Sequence, residues 1–262
     1  MKKDILSVKI LQKTLVWEDE NANLIAMEEQ LSASGKADLV LLPEMFATGF
    51  SMRPELYADR SGRILHWMQE MAQKTEQAIC GSAMVEEGGK YFNRLYFVKP
   101  DGEFGQYDKR HLFTMGQEPG HYSAGQKRLL VTYLGWKILP LVCYDLRFPV
   151  FSRNDVGYDI LLYVANWPEV RSLHWDTLLK ARAIENQAYV LACNRVGLDG
   201  NGIAHRGGSA VINFRGEVIT TCSGEEKALE GSLSHSELLE AREKFPVLRD
   251  ADTFSSDWKE GE

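Results

Sequence analysis

The sequence predicts an α/β layered fold, and three observations carry this prediction. Short apolar, β-branched runs alternate with amphipathic stretches along most of the 262 residues. Runs such as Leu39–Leu42 and Ile160–Ala165 are apolar at every position, which is typical of strands covered on both faces. Candidate hairpins near Tyr91–Gln106 and Ser209–Thr221 indicate a mixed sheet rather than a purely parallel one.

The predicted elements follow from these patterns. We predict strands over Ile5–Leu11, Leu39–Leu42, Ala78–Met84, Arg94–Val98, Leu129–Leu134, Lys137–Val142, Ile160–Ala165, Tyr189–Cys193, Ser209–Asn213 and Glu217–Thr221. We predict helices over Ala22–Ser34, Gly62–Thr75, Ser172–Asn186 and Ser234–Lys244, with Ser172 as the N-cap of the third. Because no linker, low-complexity run or internal repeat interrupts them, residues 1–262 are expected to form one domain.

Composition excludes several classes of protein. Lys and Arg total 30 against 37 Asp and Glu, and this net charge of -7 argues against a nucleic-acid partner, which calls for a basic surface. No apolar run reaches the ~18 residues of a membrane span, and Asp4 and Lys9 interrupt any signal-peptide region. Four cysteines without close pairs favour a reducing compartment, so we expect a cytoplasmic protein without a membrane partner.

Several common catalytic motifs are absent from the sequence. It contains no G-x-G-x-x-G after a strand, no G-x-x-x-x-G-K-[ST], no H-E-x-x-H, no C-x-x-C and no G-x-S-x-G. The six histidines do not follow a metal-ligand spacing. We therefore expect neither a metal nor a nucleotide cofactor, and no serine triad.

One of the four cysteines stands out by its position. Cys80 and Cys193 lie inside apolar strands, and Cys222 is predicted to lie in a polar turn past a late strand, so all three are interpreted as packing residues. Cys143 instead ends the buried run 136–143 and is followed at once by polar residues. A side chain there lies at the carboxyl edge of the sheet, where α/β folds bind ligands and where backbone N–H groups can face a reacting atom. The alternative is a core thiol.

A cysteine nucleophile needs a base or a positive charge nearby, since a thiol has an ordinary pKa of about 8.5. Glu44 ends the apolar segment 38–44, and a carboxylate behind a buried strand is costly unless it is paired or functional. The alternative for Glu44 is a capping role in a turn. Lys109 lies in a charged segment where most lysines are solvated, and its position alone carries little information.

Together, these segments resemble a known family. Residues 42–50, 107–113 and 141–149 resemble the Glu, Lys and Cys motifs of the nitrilase (carbon–nitrogen hydrolase) superfamily, with the key residues in the family's order and 65 and 34 residues apart. The resemblance extends from about Ile5 to about Phe254. Residues 166–175 and 193–202 are most similar to the bacterial omega-amidase branch. Gly208 departs from the pattern, because relatives tend to carry a polar side chain there.

The resemblance implies a fold, a reaction and roles for five residues. The family fold is a four-layer α-β-β-α sandwich that usually forms a homodimer. Omega-amidases hydrolyse the terminal amide of 2-oxoglutaramate and 2-oxosuccinamate through a cysteine thioester, without a cofactor. Carried over to this sequence, Cys143 is the nucleophile, Glu44 the acid and base, and Lys109 the oxyanion donor together with the backbone N–H of Tyr144. Glu118 matches a second family glutamate that would orient Lys109 and the substrate amide.

The carboxylate of such a substrate calls for a guanidinium partner. We favour Arg171, which follows the predicted strand end at Asn166, over two competing candidates, Arg147 and Arg195. Residues expected to bind substrate or to line its pocket are Phe46, Phe50, Tyr122, Asn166 and Trp167.

Two alternatives to an omega-amidase remain at this point. The nearer one is another carbon–nitrogen hydrolase, such as an aliphatic amidase or an N-carbamoyl hydrolase. The other is a non-catalytic scaffold protein with the same fold, which the retention of Glu44, Lys109 and Cys143 disfavours.

Overall fold

The computed structural model describes residues 3–33, 35–253, 255 and 258–261. Its strands are β1 (Ile5–Gln12), β2 (Leu39–Leu41), β3 (Ala78–Glu87), β4 (Lys90–Val98), β5 (Phe104–Asp108), β6 (Lys127–Leu129), β7 (Val131–Tyr133), β8 (Trp136–Val142), β9 (Ile160–Ala165), β10 (Tyr189–Asn194), β11 (Val196–Leu198), β12 (Ala204–Ile212), β13 (Val218–Ser223), β14 (Lys227–Ser234) and β15 (Lys259–Gly261). The α-helices are α1 (Glu20–Ala33), α2 (Pro54–Tyr57), α3 (Arg63–Thr75), α4 (Ser172–Asn186) and α5 (His235–Lys244), and 3-10 turns span Thr114–Gly116, Glu118–Gly120, Cys143–Arg147, Glu169–Arg171 and Val247–Asp250.

Two mixed sheets form the centre of the molecule. The first has the strand order β14-β1-β2-β3-β4-β5, and the second has the order β11-β12-β10-β9-β8-β7 with β13 beside β12. Strands β1, β2 and β3 run parallel in the first sheet, as do β8, β9 and β10 in the second, and the flanking strands are antiparallel. The short strands β6 and β15 pair with each other outside both sheets.

The sheets pack face to face, with helices on their outer faces. In β1, Ile10 belongs to the apolar core shared with β8, β9 and β10, whereas the next residue, Leu11, packs with residues of α1 and α3. This alternation follows from the two-residue period of a strand and gives each sheet two apolar faces. Helix α4 covers the second sheet by packing on β10 and β12. The predicted α/β fold with four layers is thus confirmed.

Most predicted elements are present, and their differences have local causes. Helix α4 has the predicted bounds, but Ser172 is its first residue and not its N-cap, because the turn Glu169–Arg171 leads directly into the helix and leaves Ser172 with helical backbone angles. The predicted strand Leu129–Leu134 is divided between β6 and β7, which pair with different partners. Strand β14 was not predicted because Lys, Glu and Gly interrupt its apolar pattern.

Two predicted boundaries fall on residues outside the described part of the chain. Helix α1 begins at Glu20, two residues before the predicted start, and its predicted last residue, Ser34, lies outside the described residues. The expected core boundary at Phe254 lies outside them as well. Within the described part of the chain, no helix has the length and apolar character needed to cross a bilayer.

The predicted packing role of Cys80, Cys193 and Cys222 is confirmed by their burial, but the position predicted for Cys222 is wrong. Cys80 and Cys193 are fully buried in strands, as expected of packing residues, and Cys143 begins the turn after β8. Cys222 is not in a turn past a strand: it is buried within β13 and pairs with Ser209 of β12. Its strand was predicted to end at Thr221, but the polar residues that suggested an end continue the pairing instead.

The topology brings the ends of several strands to one place. Glu44 lies three residues beyond β2 at the carboxyl edge of the first sheet, and Cys143 and Asn166 directly follow β8 and β9 at the carboxyl edge of the second. Lys109 directly follows β5. The two edges meet, because the backbone N–H of Asn166 donates to the Glu44 carboxylate at 2.7 Å.

Candidate active site

A buried lysine between two buried glutamates forms the centre of the site. Lys109 Nζ lies 3.0 Å from Glu44 Oε1 and 2.9 Å from Glu118 Oε2, and it also contacts Glu118 Oε1 at 3.1 Å. All three side chains are almost completely removed from solvent. Burial alone would lower the pKa of Lys109, but the charges of Glu118 and Glu44 outweigh it and raise that pKa above its usual range. The lysine therefore stays an ammonium.

Glu44 is held by more than the lysine. Its Oε1 accepts a hydrogen bond from Asn93 Nδ2 at 2.8 Å and its Oε2 accepts from the Asn166 backbone N–H. The Asn166 side-chain amide in turn donates to the Glu44 backbone carbonyl at 2.6 Å. The alternative of a capping residue in a turn does not fit these contacts, which fix a buried carboxylate in one orientation.

Asn93 is a site residue that the sequence analysis missed. It lies fully buried in β4, and its amide also lies 3.4 Å from Glu118 Oε1, so it faces both carboxylates. A signal was present in the sequence, because a buried polar residue between the aromatic and apolar residues of Lys90–Val98 needs a partner.

Glu118 contacts Lys109 and is held in place by a backbone hydrogen bond. Its Oε2 accepts a hydrogen bond from the backbone N–H of Phe113 at 2.6 Å. Burial raises the pKa of Glu118, the charge of Glu44 raises it further, and Lys109 opposes both effects. Glu118 is not among the residues that line the adjacent pocket, and the structure brings its carboxylate to Lys109.

Cys143 occupies the sharp turn that its position in the sequence predicted. Its backbone φ is 44°, in the left-handed region that residues with a side chain seldom adopt, and the turn Cys143–Arg147 begins there. The following residue, Tyr144, places its backbone N–H at the start of this turn, where N–H groups lack helical partners. The Cys143 thiol and the Tyr144 backbone N–H are thus both located at the carboxyl end of β8.

The surroundings of the thiol keep it protonated. Burial raises the pKa of Cys143 well above its ordinary value and the negative charge of Glu44 adds to this, whereas Lys109 and the Asn166 backbone N–H oppose it. A protonated thiol is a weak nucleophile. The arrangement can therefore perform nucleophilic chemistry only if the adjacent carboxylate removes the proton.

A pocket of about 580 Å³ opens beside these residues. Glu44, Lys109 and Cys143 line it together with the predicted residues Phe50, Asn166 and Trp167. The Phe50 ring centre lies 5.0 Å from Lys109 Nζ, and the Trp167 indole N–H donates to the Arg171 carbonyl at 2.8 Å.

Two other expected pocket residues are not there. Phe46 is fully buried behind the first sheet, where it packs against Trp67 with ring centres 5.6 Å apart. Tyr122 is directed away from the pocket and donates its hydroxyl to the Ser51 carbonyl at 2.6 Å. Both predictions were wrong because each aromatic side chain completes a neighbouring apolar cluster.

Two of the three candidate arginines line the pocket, and the third does not. Arg147 and Arg171 line the pocket, and within the described residues neither forms an ion pair with a carboxylate. Arg171 lies with its Cζ 5.5 Å from the Phe113 ring centre, and Arg147 lies 4.8 Å from that of Trp167. Arg195 does not line the pocket. It is fully buried and donates to backbone carbonyls, among them that of Leu198 at 2.8 Å.

Gly208, the departure from the family pattern, has a backbone that favours glycine. Its φ is 80°, and its carbonyl accepts a hydrogen bond from the Trp175 indole at 2.7 Å. A Cβ at this position would lie only 3.3 Å from the same indole. A backbone carbonyl therefore forms the contact between β12 and α4.

Comparison with known proteins gives consistent relatives. The model of the carbon-nitrogen hydrolase family matches residues 7–241. Omega-amidase YafV of Escherichia coli (strain K12) is 50% identical over 250 residues, which cover 95% of this chain and 98% of that protein. The 2-oxoglutaramate amidase of Bacillus subtilis is 32% identical over 251 residues, covering 93% and 96%.

Solved structures agree with this relationship. A CN-hydrolase superfamily protein from Xanthomonas campestris, solved with an arsenic adduct in its active site, superposes with a TM-score of 0.94 at 41% identity over 97% of this chain and all of that one. Nit3 of Saccharomyces cerevisiae, at 23% identity and a TM-score of 0.85 over 94% and 96% of the two chains, shares the fold. With its family match, its relatives and its two-sheet architecture, the chain belongs to the carbon-nitrogen hydrolase family.

Proposed function

We propose that this chain is an omega-amidase, which hydrolyses the terminal amide of 2-oxo dicarboxylate monoamides to the dicarboxylate and ammonia. The observation that carries the proposal is the buried set Glu44, Lys109 and Cys143 beside a pocket that also presents two arginines without carboxylate partners among the described residues. The names of the relatives, omega-amidase and 2-oxoglutaramate amidase, support this substrate class.

The first half of the reaction forms a thioester. Glu44 takes the Cys143 proton as the sulfur attacks the amide carbon, and the carbonyl oxygen becomes an oxyanion. The Lys109 ammonium and the Tyr144 backbone N–H face this developing charge and stabilise it. When the tetrahedral intermediate collapses, the C–N bond breaks, and Glu44 returns the proton to the leaving ammonia.

The second half repeats the same steps with water. Glu44 removes a proton from water, which attacks the thioester carbon, and the same donors hold the second oxyanion. The C–S bond then breaks, the free carboxylic acid forms, and the thiol regains its proton from Glu44. One carboxylate therefore acts as base twice and as acid twice, which explains why it is fixed by three hydrogen bonds.

Glu118 supports this cycle without contacting the substrate. Through its two contacts it holds the Lys109 ammonium in place. Arg171 is assigned to the substrate carboxylate in preference to Arg147. Both line the pocket without a carboxylate partner among the described residues, but Arg147 already contacts His174 Nδ1 at 3.0 Å.

Residues 1–262 are proposed to form one carbon–nitrogen hydrolase domain in a cytoplasmic homodimer that has no nucleic-acid or membrane partner. The shared core of the two sheets supports the single domain, and the net charge and free cysteines support the other assignments. For the dimer, the support is two exposed apolar side chains at and next to the rim of the pocket, Val170 and Leu173. Sedimentation velocity is expected to give twice the chain mass, and a monomer at micromolar concentration would contradict the dimer.

The nucleophile can be tested by removing the thiol. Cys143→Ala is expected to abolish ammonia release from 2-oxoglutaramate, because no other group near Glu44 can form the acyl intermediate. Cys222→Ala is the matched control and should keep wild-type activity, since Cys222 lies in β13 away from the pocket. Mass spectrometry of the wild type during turnover should show an acyl adduct on Cys143. Normal turnover by the Cys143→Ala variant would refute the assignment and, with it, the catalytic proposal.

The role of Glu118 predicts a loss in kcat rather than in substrate binding. Glu118→Gln retains one acceptor oxygen for two donors, Lys109 and the Phe113 N–H, so the ammonium loses its fixed position. We expect kcat to fall by about 10²-fold, in the range seen when one oxyanion donor is removed. Glu103→Gln, which removes an exposed ion pair with Lys99, is the control. An unchanged kcat in Glu118→Gln would show that the second glutamate is dispensable.

The carboxylate site can be tested by comparing acidic and neutral substrates. Arg171→Gln should lower kcat/KM for 2-oxoglutaramate about 10–100-fold, which corresponds to the loss of a charge-assisted hydrogen bond, and should leave pentanamide nearly unaffected. Arg147→Gln is the matched comparison on the same pocket. If only Arg147→Gln selectively lowers kcat/KM for 2-oxoglutaramate, Arg147 and not Arg171 binds the substrate carboxylate. Faster turnover of pentanamide or N-carbamoyl compounds by the wild type would instead identify another carbon–nitrogen hydrolase.

A further inference from the structure

A third buried carboxylate, besides those of Glu44 and Glu118, belongs to the turn that begins with the nucleophile and has no part in the mechanism above. Asp145 follows Cys143 by two residues and is fully buried. Its Oδ2 accepts hydrogen bonds from the Tyr107 hydroxyl at 2.7 Å and the Val142 backbone N–H at 3.0 Å. Its Oδ1 accepts from the His111 backbone N–H at 3.1 Å and contacts His111 Nδ1 at 2.7 Å. One carboxylate thus gathers four polar groups.

These four groups come from two segments of the chain. Val142 immediately precedes the nucleophile, whereas Tyr107 and His111 lie two residues before and two residues after Lys109. The Tyr107 hydroxyl also accepts from the backbone N–H of Arg110 at 3.0 Å, so both sides of the lysine are bound to the same network. Asp145 therefore joins the segment that carries the nucleophile to the segment that carries the oxyanion donor.

The network also bears on the backbone of the nucleophile. Cys143 has a positive φ, which persists only where the surrounding structure enforces it. The hydrogen bond from the Val142 N–H to the Asp145 carboxylate closes the turn around Cys143. The rings of His111 and Phe148 stack with their centres 3.8 Å apart and form a second contact between the two segments. A turn held in this way keeps the thiol in one place.

We propose that Asp145 is a positioning residue that sets the distance between the Cys143 thiol and the Lys109 ammonium by binding both of their segments. The inference rests on the proposed function, because that distance matters only if the oxyanion forms between these two groups. Asp145 does not touch the substrate: it lies outside the set of residues that line the pocket.

The test replaces the carboxylate by an amide of the same shape. In Asp145→Asn only one oxygen accepts hydrogen bonds, so the NH2 group faces two of the four donors and one segment shifts. We expect kcat for 2-oxoglutaramate to fall about 10²-fold with KM within about threefold of wild type, as for a misplacement near 1 Å. Tyr107→Phe removes one donor and introduces none, so it provides a milder second variant, with an expected loss in kcat of about tenfold.

A buried aspartate elsewhere in the fold provides the matched control. Asp159 accepts from the Lys137 backbone N–H at 3.1 Å and from Arg242 at 3.0 Å, and it contacts His235 at 3.3 Å. It lies at the amino end of β9, at the opposite edge of the sheet from Cys143. Asp159→Asn should lower the melting temperature and leave kcat per folded molecule unchanged. If Asp145→Asn behaves in the same way, its role is merely structural and the proposal is overturned.

A measurement without substrate separates this proposal from the proposed function. Alkylation of Cys143 by iodoacetamide, followed on its peptide by mass spectrometry, should be about tenfold slower in Asp145→Asn, because a thiol displaced from the Lys109 ammonium loses the positive charge that favours its thiolate form. An unchanged or faster alkylation would overturn the role of Asp145. If instead alkylation slows as expected while the wild type releases no ammonia from 2-oxo monoamides, the positioning role stands and the assigned substrate class fails.

Discussion

The ammonium of Lys109 between Glu44 and Glu118 is the interaction on which the rest of the site depends. Each of these charges would be strongly unfavourable if it were buried alone, because the loss of hydration costs several kcal/mol per ion. Together they stabilise one another, and the Asn93 side-chain amide and the backbone N–H groups of Asn166 and Phe113 donate further hydrogen bonds to the carboxylates. Removal of Lys109 would leave two carboxylates in the interior without a cation beside them.

The layered fold brings these residues together from separate parts of the chain. Glu44 comes from the carboxyl edge of the first sheet and Cys143 from that of the second, while Lys109 follows an edge strand of the first. Because each residue directly follows or closely follows a strand, its backbone is anchored by the ladder behind it. The three candidate catalytic side chains are therefore carried by backbone at or near the ends of paired strands.

The sequence revealed those parts of the site that have a local signature. Cys143 and Glu44 were identified because each ends an apolar run, and the strands behind them were predicted nearly to the residue. Lys109 lacks such a signature, since its charge is compensated by residues distant in sequence, and only the family resemblance pointed to it. Asn93 and Asp145 were missed for the same reason: their partners lie on other elements.

The wrong predictions show the limit of local patterns. Arg195 follows β10 at the same edge as Cys143 and Asn166, but its side chain is buried and binds backbone carbonyls instead of lining the pocket. Ser172 has the side chain of a helix cap, yet the preceding turn already continues into the helix. In both cases the residue type and its position in the sequence fitted the predicted role. The path of the backbone, which neighbouring elements determine, gave the residue a different role.

The raised pKa of the Cys143 thiol has a consequence beyond catalysis. Peroxides and other cellular oxidants react with the thiolate and only slowly with the protonated form. In the proposed mechanism, a thiol that stays protonated until Glu44 removes its proton reacts slowly with such oxidants between turnovers. The burial that makes a base necessary in that mechanism thus also lowers the reactivity of the resting thiol toward oxidants.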